Sequence, residues 1–356
     1  LHRLLCIGKL DDEGIYTRHD DYQGEPIDAD VVVIDELSMV DMFIMNYLLK
    51  CIYQGTKLVL VGDIDQLPSV GPGSVLKDLI ESETIKTVHL DKIFRQAAKS
   101  KIILNAHRVN KGETFLGKED IEEETNQDFF YIKHKSQEEI LKEVISLCTG
   151  RLAKFGNYDF FQNIQILTPT KKGLLGTKEL NKELQAYLNP NLDGRTEKTN
   201  AGAIYRKGDR IMQIKNNYDM TWDRELDNGK TEYGEGIFNG EFGTITDIKE
   251  KDKVVEVKFD DNKTAWYEFT ELDQIEHSYA ITIHKSQGSE FDVVIMVAPA
   301  SSPMLLTRNL LYTGITRAKK LLIIIGTDNV VDYMIQNVDS KKRNTGLKQK
   351  LIEERN

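Results

Sequence analysis

Five short aliphatic runs constrain this chain more than any other feature. They are Val31-Val32-Val33-Ile34, Leu58-Val59-Leu60-Val61, Ile164-Gln165-Ile166-Leu167, Val293-Val294-Ile295-Met296-Val297 and Leu321-Leu322-Ile323-Ile324-Ile325. A run of this kind offers no polar face to water, so it reads as a strand buried on both sides, as in a parallel sheet between helices. The first three runs end in Asp35-Glu36, Gly62-Asp63 and Thr168-Pro169. Parallel sheets carry their chemistry just beyond the carboxyl ends of the strands, where these polar residues fall.

Between the runs, residues 41–53, 136–152 and 179–188 space their apolar side chains as helices do. Residues 206–272 differ: they are rich in turns and glycine, with alternating segments such as Arg210-Ile211-Met212-Gln213-Ile214 and Val254-Val255-Glu256-Val257-Lys258-Phe259. That pattern predicts a small all-β insertion closed into a barrel. From about Asp332 the chain turns polar and basic, which predicts a frayed or linking tail.

With 356 residues there is room for two or three domains. No run of 18 apolar residues exists, so no membrane-spanning helix is expected. Cys6, Cys51 and Cys148 are odd in number and lack metal-ligand spacing, which suggests reduced thiols in a cytoplasmic protein. The net charge of −10 argues against a protein that coats nucleic acid. Basic residues nevertheless gather locally: Lys171, Lys172, Lys178 and Lys182; Arg206, Lys207 and Arg210; Arg317, Lys319 and Lys320. A local basic groove on an acidic protein can still hold a DNA strand.

Adjacent carboxylates at the end of a buried strand, as in Asp35-Glu36, suit phosphoryl transfer: one holds Mg²⁺ and the other orients and deprotonates an attacking water. Taken alone, the pair is read equally well as acids favouring a helix dipole. The surrounding strings decide between the two readings. Residues 34–41 read IDELSMVD, 61–73 VGDIDQLPSVGPG, 90–96 LDKIFRQ, 279–291 YAITIHKSQGSEF and 311–320 LYTGITRAKK. In this order they resemble the motifs of superfamily 1 helicases, and specifically the RecD-like helicases, the exodeoxyribonuclease V alpha-subunit family. Residues 168–190 and the turn Asn239-Gly240-Glu241, with Gly243 behind it, also look like that family.

The resemblance implies an α/β fold of two RecA-like parallel-sheet lobes, with a small SH3-like β-barrel inserted in the second. It implies a first lobe over 1–110, truncated at its start, and a helical or irregular connector over 111–158. The second lobe would occupy 159–205 and 273–330, the barrel 206–272 and the polar tail 331–356. ATP would lie between the lobes. By resemblance Asp35 holds Mg²⁺, Glu36 is the general base, Gln66 senses the γ-phosphate, and Arg95 and Arg317 neutralise the transferred phosphoryl group. Gly288 and Glu290 would approach the nucleotide, with Lys285 adding positive charge. Pro68, Val70, Thr168, Thr282, His284 and Ser286 would touch DNA. Outside the motif, Arg317 would read as part of a surface basic cluster and His284 as a packed core histidine.

The implied activity is ATP- and Mg²⁺-dependent movement along single-stranded DNA, with 5′-to-3′ polarity, at duplex junctions, and with other recombination or repair subunits as possible partners. One part is missing. No G-x-x-x-x-G-K-[ST] phosphate loop occurs; Gly229-Lys230-Thr231 has Arg224 where the first glycine belongs, and residues 173–178 have the wrong order. The simplest expectation is that the sequence starts after that loop and is inactive alone. A non-hydrolysing DNA-binding scaffold is the alternative. A nuclease reading rests on Asp247, Glu256 and Lys258, but alternating acid and base on an exposed strand is common.

Overall fold

A computed structural model describes residues 5, 26–90, 99–116, 127–192, 194–338, 343 and 345–355, together with the backbone of 7–10 and 16–18. The chain forms two compact units, residues 1–94 with 338–356 and residues 95–337.

In the first unit, strands Val31–Ile34 and Lys57–Leu60 pair in parallel, with Ile34 opposite Leu60. Only one face of the pair is covered by described residues. Val32 and Ile34 are buried against Leu37, Ile44 and Leu48, whereas Val31 and Val33 are 49% and 61% exposed. The expectation of burial on both faces therefore fails here among the described residues. Helix Met42–Lys50 begins where the Asp41 carboxylate accepts the Ile44 amide at 2.9 Å, a side-chain N-cap. Helix Val75–Glu81 follows the second strand.

The second unit contains a five-stranded parallel sheet in the order Ala280–Thr282, Ile164–Thr168, Phe291–Ala298, Ala318–Gly326, Phe129–Lys133. Here the aliphatic runs are buried on both faces, as their composition predicts: Val293 to Val297 and Leu322 to Ile325 are all 3% exposed or less. One face packs on Ile140 and Val144 of helix Gln137–Ser146 and on Leu180 and Leu184 of helix Thr177–Leu188.

Seven antiparallel strands fill residues 210–277, in the order Thr231–Ile237, Asn217–Glu225, Thr264–Glu268, Val254–Phe259, Phe242–Lys249, Arg210–Gln213, Ile275–His277. They enclose their own core of Ile211, Ile245, Val255, Val257, Tyr267 and Leu272. At Gly243 two strands approach so closely that a Cβ would meet the Lys258 carbonyl at 2.9 Å, which accounts for glycine there.

The unit boundaries differ from the sequence reading in three places. Helix Lys101–Lys111 belongs to the second unit, where the Asn110 carbonyl accepts from Arg308 at 3.2 Å, so the first unit gives way near residue 94 rather than 110. Strand Phe129–Lys133, inside the expected connector, is an edge strand of the five-stranded sheet. The expected frayed tail instead contains helices Asp328–Gln336 and Leu347–Arg355, the latter docked on the first unit. Its polar composition misled because it is held by hydrogen bonds and ion pairs, not by an apolar stripe.

Candidate active site and nucleic-acid interface

Asp35 and Glu36 follow strand Val31–Ile34 directly, with Asp35 exposed and Glu36 half-buried. The Glu36 amide donates to Asp35 Oδ1 at 2.8 Å, and Glu36 has φ 54°, ψ 42°, the left-handed region that side-chain-bearing residues seldom occupy. The next residue fixes that geometry: Leu37 is fully buried and its amide donates to the Val61 carbonyl at 2.9 Å, while the Val61 amide donates to the Ile34 carbonyl at 2.8 Å. The segments after the two strands are thus tied together, and loop 61–73 lies beside the two carboxylates. Within that loop Gln66 is buried and its amide nitrogen stands 3.5 Å from Asp63 Oδ2. Pro68 is half-buried, and Val70 is 93% exposed at the tip. Arg95 lies outside the described residues.

In the second unit the structure separates the expected residues into two groups. Gly288, Glu290 and Arg317 collect at the amino ends of strands Phe291–Ala298 and Ala318–Gly326, where Phe291 stands opposite Ala318. Arg317 is 4% exposed and donates to the carbonyls of Thr313 and Ser289, both at 3.1 Å, and to Thr316 Oγ1 at 3.1 Å. It is therefore no surface cluster with Lys319 and Lys320, which pair instead with Glu290 at 3.1 Å and Asp292 at 3.0 Å. Gly288 has φ 75° with open space where a Cβ would stand, so its role is a backbone turn.

The second group lies at the carboxyl ends, where Thr282 stands opposite Thr168. Thr282 caps the short helical turn Ile283–Ser286 by accepting the Lys285 amide at 3.3 Å. Lys285 pairs with Glu276 at 2.8 Å. Burial raises the Glu276 pKa, but Lys285, with Lys171 and Lys178, outweighs it and holds the carboxyl below its usual value. His284 presents an exposed surface, yet enough protein surrounds the ring that desolvation lowers its pKa.

Two residues expected at DNA lie in the interior of the second unit. Thr168 and Ser286 are fully buried, and each hydroxyl spends its single proton on a backbone carbonyl, Leu175 at 2.7 Å and Ile283 at 2.8 Å. Both hydroxyls hold their own turns in this structure. The basic stretch around Arg206 is largely neutralised as well: Arg206 pairs with Glu197 at 2.9 Å and Arg210 with Asp260 in a two-pronged contact at 2.8 and 2.7 Å. Gly229-Lys230-Thr231 forms a hairpin turn leading into a strand, unlike a phosphate loop. Among the described residues no group of three or more His, Cys, Asp and Glu is placed to hold a metal ion. Glu256 accepts from Thr246 at 2.7 Å and Trp266 at 3.3 Å. An Mg²⁺ ion held by one carboxylate and water needs no such cluster, and Asp35, exposed at its strand end, is chemically suited to that arrangement.

Sequence reading missed three positioning residues. Asp209, wholly buried, accepts from Gln185, Asn189 and Tyr279 side chains at 2.7, 2.7 and 2.8 Å and from the Arg206 amide at 2.8 Å, with His277 at 3.1 Å. Asn181 clamps the start of strand Ala280–Thr282 by donating to the Ala280 carbonyl and accepting its amide. Arg343 donates to the backbone carbonyls of loop 69–73.

Comparison with known proteins follows the same layout. Residues 13–131 match an AAA domain, 180–259 the SH3 domain of ATP-dependent RecD-like DNA helicases, and 277–325 the UvrD-like helicase C-terminal domain. The chain belongs to the RecD-like superfamily 1 helicases. It is 32% identical over 334 residues to the ATP-dependent RecD2 DNA helicase of Deinococcus radiodurans, covering 92% of this chain and 39% of that protein. It is 30% identical over 364 residues to the RecBCD enzyme subunit RecD of Mycolicibacterium smegmatis, covering 99% of this chain and 58% of that one. The chain thus spans roughly two to three fifths of these relatives' lengths. A Pif1 helicase from Bacteroides, solved with ADP-AlF3 and single-stranded DNA, shares the fold with TM-score 0.51 at 18% identity, over 94% of this chain and 79% of that one. No helix among the described residues is long and apolar enough to cross a membrane.

Proposed function

We propose that the protein containing this chain is an ATP- and Mg²⁺-dependent DNA helicase that moves 5′ to 3′ along single-stranded DNA, acting in the cytoplasm on recombination or repair substrates. Asp35 holds Mg²⁺ through water and Glu36 activates the attacking water. Gln66 responds to the γ-phosphate, Arg95 and Arg317 offset charge on the transferred group, and Gly288, Glu290 and Lys285 contribute to the nucleotide site. Pro68, Val70, Thr282 and His284 meet the DNA strand. The observation that carries this reading is the adjacent carboxylate pair at a parallel-strand end, with Glu36 in a strained backbone conformation enforced by buried neighbours. Bound Mg²⁺ and ATP supply the phosphoryl chemistry; this chain's residues orient water and balance charge.

The test is unwinding by the full-length protein of duplexes carrying a single-stranded 5′ or 3′ tail, with ATP and Mg²⁺. Unwinding of the 5′-tailed duplex alone is expected; preference for the 3′ tail would overturn the polarity. The second reading is a DNA-binding scaffold with a motor fold that does not hydrolyse ATP. DNA binding without any unwinding or ATP turnover by the full-length protein would establish it. The 356 residues by themselves are expected to show no DNA-stimulated ATPase, and turnover by clean protein would contradict the need for a separate phosphate loop.

A further inference from the structure

Loop 69–73 is gripped from two sides within the first unit. On one side it lies on the start of helix Met42–Lys50: the Met42 amide donates to the Pro72 carbonyl at 3.0 Å. A Cβ at Gly71 would collide with the Asp41 carboxylate, and one at Gly73 with the Met42 side chain, so only glycine permits this approach. On the other side stands Arg343. One of its terminal nitrogens donates to the carbonyls of Gly71 at 2.7 Å and Gly73 at 2.8 Å and to Ser69 Oγ at 3.2 Å; the other donates to the Ser69 carbonyl at 2.6 Å. Three carbonyls of a five-residue loop thus converge on one planar cation, whose fixed fork of donors suits such a cradle in a way a lysine ammonium does not. The segment after Arg343 is pinned to the same unit. Thr345 donates to Asp78 at 2.8 Å, Lys348 pairs with Glu81 at 3.1 Å and Arg355 donates to the Glu83 carbonyl at 2.8 Å.

The result of this double grip is a rigid turn that presents Val70, apolar and 93% exposed, with Pro72 also exposed beside it. Ordering a flexible loop on binding costs conformational entropy, and a pre-ordered loop avoids that cost. We propose that Arg343 is a positioning residue that holds loop 69–73 rigid so that Pro68 and Val70 are pre-set for the DNA strand. This rests on the reading above in which that loop meets DNA. Arg343 touches neither nucleotide nor DNA in this scheme; it acts through the backbone of 69–73.

The experiment compares full-length wild-type protein with Arg343→Ala, Arg343→Lys and Lys348→Gln, by hydrogen exchange and by oligo-dT-stimulated ATPase. In both Arg343 variants, exchange of the Met42 amide and of residues 69–73 is expected to accelerate at least tenfold. Strands Ile164–Thr168 and Phe291–Ala298 should be unchanged, which excludes general unfolding. The oligo-dT concentration for half-maximal stimulation should rise at least fivefold, with less than a twofold change in turnover at saturating DNA. Lys348→Gln, which removes only an exposed pair, should match wild type in both assays. Unchanged loop exchange in Arg343→Ala, or full recovery of wild-type behaviour by Arg343→Lys, would overturn the clamp. A loosened loop with unchanged oligo-dT dependence would overturn its role toward DNA. If wild type shows no DNA-stimulated ATPase, the helicase reading fails on that arm, and the exchange data still decide whether Arg343 orders the loop.

Discussion

Glu36 occupies the left-handed backbone region, at a cost of roughly 1 kcal/mol or more for a residue with a Cβ. Such a conformation persists only where neighbours enforce it, and fully buried Leu37, tied to the Val61 carbonyl, does so here. The second informative residue is Arg317. Two hydrogen bonds to Thr313 and Thr316 and one to the Ser289 carbonyl, between Gly288 and Glu290, fix it, so any approach to a phosphoryl group begins from an ordered guanidinium. Arg317→Ala in the full-length protein is expected to lower ATP turnover at least a hundredfold, with DNA affinity in the absence of nucleotide within about twofold. Fluorescence anisotropy with labelled oligo-dT alongside an ATPase assay checks this, and the reverse pattern would place Arg317 in the DNA interface. Because the Ser289 carbonyl would lose a charged donor, the same variant should also lose about 1–3 kcal/mol of stability.

Among the elements, the parallel strands of the second unit followed directly from their composition, since an aliphatic run with no polar face has nowhere to go but between two layers. Strand Phe129–Lys133 was illegible for the opposite reason: at a sheet edge Phe129 to Ile132 are all half-buried, so it shows neither a continuous nor an alternating signal. The barrel strands were readable by alternation, but the hub that joins them to helix Thr177–Leu188 was not. Asp209 gathers donors from residues 185, 189, 206 and 279, and such convergence leaves no trace in local sequence. Asp209→Ala would leave these buried donors without an acceptor, and at least about 3 kcal/mol of stability should be lost. A lowered urea midpoint with an unchanged slope is the expected result. An unchanged midpoint would mean that the hub contributes nothing net. Thr168 and Ser286 teach the converse lesson: a hydroxyl in the right string reads as a phosphate donor until burial shows its proton already spent.

On the scale of the whole molecule, the order of strings along the chain carried the family assignment, and the matched domains follow that order. What composition obscured was the return of the chain. Residues 338–356 are polar, and helix Leu347–Arg355 buries no residue, yet the segment belongs to the first unit through Arg343, Thr345 and Lys348. A polar segment anchored by carbonyls and ion pairs cannot be told from a frayed end by periodicity. The net charge of −10 is likewise consistent with DNA binding only locally, because much of the expected basic groove is paired internally. At the centre of the proposed function, Glu36 activates the water that splits ATP in a DNA-driven motor. ATP turnover by full-length wild type and Glu36→Gln, with and without oligo-dT, alongside binding of a fluorescent ATP analogue, tests it most directly. Wild type is expected to show turnover that DNA stimulates, and Glu36→Gln a loss of at least a thousandfold with nucleotide affinity within about threefold. Turnover by Glu36→Gln at the wild-type rate, or loss of nucleotide binding in its place, would contradict it.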